Sequence, residues 1–220
     1  MCGCLSCACI TDFDMNIRIN RTILCLTLLL ASQSLSALSP RFDLYVEWGY
    51  TQSLFGKFKY NILSSEGGRL YDSHRGAKFC SNGDLLAGVM MKLGQKNGIT
   101  FLSGYSGVPS TSRIIPLELR YSYFCKGFEN DGFFTFAEGG IGLKIESEFD
   151  TFPAYMAVLG SGYRLKLSPG SSIDFLLEMK SIFDRPKIPD PEGQGYVKAE
   201  NILSNMAYYY GLNLSVALSF

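Results

Sequence analysis

The chain has 220 residues, 20 Lys and Arg balanced by 20 Asp and Glu, and a single His. Neutral charge gives no electrostatic reason to expect nucleic acid or an anionic membrane surface as partner. Hydrophobic residues make up 47% and aromatics 14%, and a chain this rich in Tyr, Phe and Gly suits strands.

In chain order, the first informative stretch runs from Met15 to Ala37. Arg18 and Arg21 precede an apolar run from Ile23 to Ala31 and a small polar stretch from Ser32 to Ala37, the layout of a secretory signal cleaved just before Ala37, with cleavage after Ala37 as the alternative. The run is too short for a membrane helix, which needs about 20 apolar residues. Cys2, Cys4, Cys7 and Cys9 lie upstream of it. A lipid-bearing cysteine should follow the apolar run, and a zinc site needs a second, separated ligand pair. The expectation is therefore that Met15 is the true start, that 15–36 is a signal, and that 37–220 is one folded domain with no metal site and no cofactor. Cys25 falls in the signal, which leaves Cys80 and Cys125.

From Phe42 onward, apolar residues recur with period two, which places alternate side chains on opposite faces of a strand. The first predicted strand, 42–50, sets Phe42, Leu44, Val46, Trp48 and Tyr50 against Asp43, Tyr45, Glu47 and Gly49. A connection follows over 51–83. The second strand, 85–93, sets Leu85, Ala87, Val89 and Met91 against Leu86, Met90 and Lys92, and Gln95-Lys96-Asn97-Gly98 reads as a tight turn because Asn-Gly favours hairpins. The third, 99–105, alternates weakly. The fourth, 115–123, sets Ile115, Leu117, Leu119, Tyr121 and Tyr123 against Glu118, Arg120 and Ser122. The fifth, 133–143, opposes Phe133, Ile141 and Leu143 to Phe134, Phe136 and Glu138. The sixth, 155–167, carries Gly160, Gly162, Arg164 and Lys166 on one face, and Ser168-Pro169-Gly170-Ser171 turns it. The seventh, 173–183, opposes Ile173, Phe175, Leu177 and Met179 to Asp174, Glu178 and Lys180. The last, 212–220, aligns Leu212, Leu214, Val216, Leu218 and Phe220, with Tyr210 extending the row.

On the last segment alone a soluble sandwich is an alternative. Inward charges beneath unbroken apolar rows are hard to place in a soluble core and easy to place in a barrel with lipid outside. Connections after strands two, four and six are short or moderate, and the others are mostly longer, as in barrels with short periplasmic turns and long outer loops. A closed, even-numbered sheet also removes unpaired edges from hydrocarbon. The predicted fold is all-β, an eight-stranded antiparallel up-and-down transmembrane β-barrel, with ten strands as the alternative.

The glycine-rich segments Ala137-Glu138-Gly139-Gly140-Ile141-Gly142 and Gly160-Ser161-Gly162-Tyr163-Arg164, with the closing alternation, resemble the small bacterial outer-membrane β-barrels of OmpA-like and OmpX-like kind, over essentially the whole mature length. The resemblance implies location in the bacterial outer membrane. It also implies that Tyr210, Leu212, Leu214, Val216, Leu218 and Phe220 form an assembly signal read by the barrel-assembly machinery. Outer-membrane lipids are the other expected partner, nucleic acid is not expected, and a monomer is. Fold identifies activity poorly, because many functions share one scaffold.

With the apolar rows outward, Glu47, Lys92, Glu118, Arg120, Glu138, Arg164, Lys166, Asp174, Glu178 and Lys180 face the lumen, five acids and five bases. Eight strands leave an interior just wide enough for side chains, so the expected function is a structural or surface-interaction barrel with a lumen filled by paired charges. A narrow small-solute channel is the alternative. Catalysis is not expected, since His74, with Asp72 and Ser73 beside it, lies in the 51–83 connection and neighbours in sequence cannot readily aim at one proton relay. That connection mixes Phe55, Phe58, Tyr60, Tyr71 and Phe79 with Lys57, Lys59, Arg69 and Arg75, a surface suited to a partner or to outer-leaflet phosphates, although 57–63 also alternates as a strand extension would. Pro186, Pro189 and Pro191 mark an extended loop.

Overall fold

The predicted strands form, and they close on themselves. In the computed structural model, β1 (Phe42–Leu63), β2 (Arg69–Lys92), β3 (Asn97–Gly107), β4 (Arg113–Phe124), β5 (Gly132–Lys144), β6 (Ala154–Ser168), β7 (Ser171–Asp184) and β8 (Ile202–Ser219) pair in sequence order. Every pairing is antiparallel, and β8 returns to β1, so the ring has eight strands and not ten. Beyond the register, Leu44 and Phe220 exchange both backbone hydrogen bonds, at 2.9 and 3.0 Å. The structure describes residues 42–64, 68–109, 113–145, 152–191 and 195–220. The predicted signal and the early cysteines lie outside the described residues.

Period two does what the sequence implies. Trp48, Leu119, Leu159 and Leu214 are 72, 55, 66 and 61% exposed, whereas Glu47, Arg120 and Glu178 are at most 2% exposed. Water would oppose a protein with aliphatic rows outside and charge inside. A bilayer favours it, because the closed ring leaves no strand edge unpaired and the side chains outside match the hydrocarbon. Aromatics flank the aliphatic band: Phe42, Tyr121, Tyr123, Phe133 and Phe175 toward the end that holds the short turns, and Tyr50, Tyr105, Tyr155 and Tyr210 toward the other, with Trp48 between them. Two girdles of this kind mark the interfaces of transmembrane barrels.

The 51–83 connection is largely strand. β1 runs 22 residues and β2 24, paired with each other to Leu63 and Arg69, while β8 follows β1 up to Ile62. Above Asp84, β2 has no register partner on β3, so β8, β1 and β2 project as a sheet beyond the ring. The register shifts between Ser53 and Phe55. A bulge there reverses which side chains face inward: odd residues up to Ser53 face the interior, whereas Gly56, Phe58 and Ile62 do so above it. Ile62 then packs with Ile188 and Val197.

The turn after β2 lies before the Asn-Gly pair. The bend falls at Gly94 to Lys96, with Gly94 at φ 152°, and Asn97 and Gly98 already belong to β3. Gly98 pairs with Lys92 and Ser122. Its small size serves packing, since a Cβ would sit 3.1 Å from the Phe128 ring.

Candidate functional site

The inner face of β7 orders the interior. From the short-turn end it presents Asp174, Leu176, Glu178, Lys180, Ile182 and Asp184, and each meets a different layer.

Asp174 takes two bonds from Arg164, its register partner on β6: Nε to Oδ1 at 2.7 Å and Nη2 to Oδ2 at 2.6 Å. Such a fork is fixed in geometry as well as charge. The guanidinium lies over Phe124, 4.3 Å from the ring centroid, and Phe124 continues an aromatic stack through Phe134 to Phe136 at 4.8 and 5.9 Å. Phe128, from the turn after β4, tucks in 4.5 Å from Phe124. The filling is therefore aromatic as well as ionic.

Glu178 belongs to the central cluster. Arg120 on β4 donates from Nη1 to Glu47 Oε2 at 2.6 Å, from Nε to Glu138 Oε2 at 2.5 Å and from Nη2 to Glu178 Oε1 at 3.5 Å. It also reaches the Tyr45 hydroxyl at 3.2 Å and lies over the Phe136 ring at 4.6 Å. Asn213 and Ser215 on β8 donate to Glu178 at 2.7 and 3.2 Å. Glu118 is the exception. It is 1% exposed, and neither carboxylate oxygen has a hydrogen-bond partner among the described residues.

One step further along, Lys180 spans to Asp84 on β2 at 3.1 Å, and Asp84 also accepts from Thr51 at 2.8 Å and from Ser106. Ile182 meets an apolar layer with Ile114, Met156 and Tyr209. Asp184 pairs with Lys144 at 2.9 Å. At the opposite mouth Lys92 binds Asp43 at 2.9 Å, and Lys166 binds Glu129 in the turn after β4 at 3.2 Å. The Lys166 hydrogen bond, helped by Lys92, holds the Glu129 carboxyl below the usual carboxylate range.

All ten predicted lumen charges face inward, in separate layers rather than one network. Among the described residues Asp43, Asp84, Asp184 and Lys144 also line the interior and Lys78 lies over the inner rings of Phe58 and Tyr209, so the expected equality becomes eight acids against seven bases. Asp84 and Lys144 adjoin the predicted second and fifth strands by one residue, and the period-two pattern extended that far would have included them. Phe128 has no such signal, because its turn carries no period. Among the described residues no three His, Cys, Asp or Glu side chains converge on a metal-sized site.

No family model matches the chain, and no curated protein does. Among solved structures, the outer membrane protein OprG from Pseudomonas aeruginosa is similar at 12% identity, over 82% of this chain and 96% of that one, with a TM-score of 0.47. The outer membrane protein AlkL is similar at 12% identity over 84% and 92%, TM-score 0.42. Ail, the attachment invasion locus protein of Yersinia pestis, is similar at 8% identity over 80% and 99%, TM-score 0.29. The barrel itself rests on this chain's own strand register.

The projecting sheet sorts the aromatic and basic residues expected in a loop. His74 is on a strand. Its ring stacks on Phe58 at 5.1 Å and its Nδ1 meets Asp72 Oδ2 at 3.2 Å, while Ser73, one residue away, points to the other face. Lys78 lies over the same Phe58 ring at 4.7 Å. Burial, with Asp72 adding to it, pushes the Tyr60 phenol up. Phe55, Tyr71 and Phe79 stand outward and exposed.

Proposed function

We propose that this chain is an integral barrel of the bacterial outer membrane with a structural or surface-interaction role, its lumen closed by its own side chains and its interactions carried by the projecting β8–β1–β2 sheet. The observation that carries this reading is Arg120. From β4 it binds Glu47 on β1 and Glu178 on β7, each three strands away around the ring, and so ties opposite walls together across the bore. Lys180 on β7 and Asp84 on β2 do the same one layer on. The outward row Tyr210, Leu212, Leu214, Val216, Leu218 and Phe220 is the face assigned to lipid and to the assembly machinery. The barrel acts as a monomer and without catalysis.

Ion efflux from vesicles carrying the refolded full chain tests the reading, and vesicles that hold their ions as tightly as empty ones are the expected result. The surplus of acids lining the interior favours a cation-selective narrow channel as the second reading, for which rapid efflux of cations over anions is the expected result.

A further inference from the structure

The neutral composition conceals a segregation of charge on the projecting sheet. The bulge at Leu54 turns Lys57 and Lys59 to the outward face of β1, and the unbroken alternation of β2 turns Arg69 and Arg75 the same way, all four exposed. Lys57 stands directly opposite Arg75 in register. Like charges placed so are destabilising across a ladder, and an anion between them would reverse the sign. Among the described residues no acid of the two extensions shares that face, because Asp72 points the other way and is taken by His74.

The position of these bases limits what the anion is. Their face continues the lipid-facing row of the barrel, and Lys57 is also the register partner of Tyr208, whose ring lies 4.9 Å from that of Phe183 in the upper aromatic belt. Such belts sit at the level of the lipid headgroups. The basic strip therefore starts at headgroup height and climbs away from the hydrocarbon, with the exposed rings of Phe55, Tyr71 and Phe79 interleaved.

We infer that the outward face of the β1–β2 extension, centred on Lys57, Lys59 and Arg75, binds phosphate groups on the headgroups of the outer leaflet in which the barrel sits. The inference rests on the outer-membrane reading. Long basic side chains can lay their stems along the apolar surface and hold their heads at the phosphates, so the strip anchors the projecting sheet to the membrane at one level.

The test uses the full chain in phosphatidylcholine nanodiscs, with or without a minor fraction of lipid A, a phosphorylated glycolipid. Native mass spectrometry then reads retained lipid A for the wild type and for a Lys57→Gln, Lys59→Gln, Arg75→Gln variant. All three sites are exposed, so the variant should fold. Three bases near an anionic surface predict retention on the order of a hundredfold weaker in the variant, and loss of wild-type retention at high salt. Equal retention by both proteins overturns the inference, as does wild-type binding of inorganic polyphosphate in discs that retain no lipid A. Failure of the wild type to insert into discs, read by heat-modifiable gel migration, would instead sink the outer-membrane reading beneath it.

Discussion

Phe134 on β5 lies over Gly162 on β6, its register partner in the ladder. A methyl group at Gly162 would run into the ring, and would also meet the Phe175 carbonyl oxygen at 2.7 Å. Gly162→Ala should therefore destabilise the barrel by about 1 to 3 kcal/mol, as overpacking does, measured by urea unfolding of refolded protein. Adding Phe134→Leu should recover part of the loss, since the carbonyl remains in place. Strictly additive costs in the double variant would show that the ring is not the obstacle.

Only half of that relationship is legible in the sequence. The glycines of β6 were visible as a pattern, but the ring above them comes from the neighbouring strand, and no period within β6 encodes it. The ten lumen charges were legible because alternation assigns a face regardless of register. The length of β1 was not, because the bulge at Leu54 changes parity and breaks the period at the point where the strand leaves the ring. Gly98 misled for a related reason: Asn-Gly signals a hairpin, yet here the glycine makes room for Phe128.

The central cluster predicts unequal costs for two neighbouring acids. Glu47 holds Arg120 through two contacts, at 2.6 and 3.3 Å, and Glu47→Gln should cost about 3 to 5 kcal/mol because a buried guanidinium loses one of its two close counter-charges. Glu118→Gln should cost nothing measurable or stabilise, because its buried carboxylate oxygens accept no hydrogen bond now and a neutral amide is cheaper to bury. Equal losses in urea unfolding would contradict this picture of the interior.

Outward positions should respond by depth. Leu119, outward near the middle of β4, predicts a loss of about 2 to 4 kcal/mol on Leu119→Arg if it sits at the bilayer midplane. Phe79 is more exposed still, at 70%, but lies on the projecting sheet, so Phe79→Arg should stay within about 0.5 kcal/mol. Comparable losses at the two sites would place the projecting sheet inside the hydrocarbon.

The cysteines report the ends. Cys80 lies on β2 beyond the ring, and Cys125 lies in the turn after β4 near Lys92. Twelve residues of β2 separate Cys80 from Lys92, about 40 Å along the strand, while a disulfide needs Cα atoms closer than about 7 Å. Mass spectrometry should find no Cys80 to Cys125 link, and an impermeant thiol reagent on intact cells should leave Cys125 unlabelled. Labelling of Cys125 from outside would invert the orientation.

The closed interior is the claim on which the rest depends, and single-channel recording of the refolded full chain in a planar bilayer tests it most directly. With Arg120 tied to three walls and Lys180 tied to Asp84 one layer on, the account predicts a membrane that stays electrically silent after insertion is verified. Persistent unitary current steps from the inserted protein would contradict it.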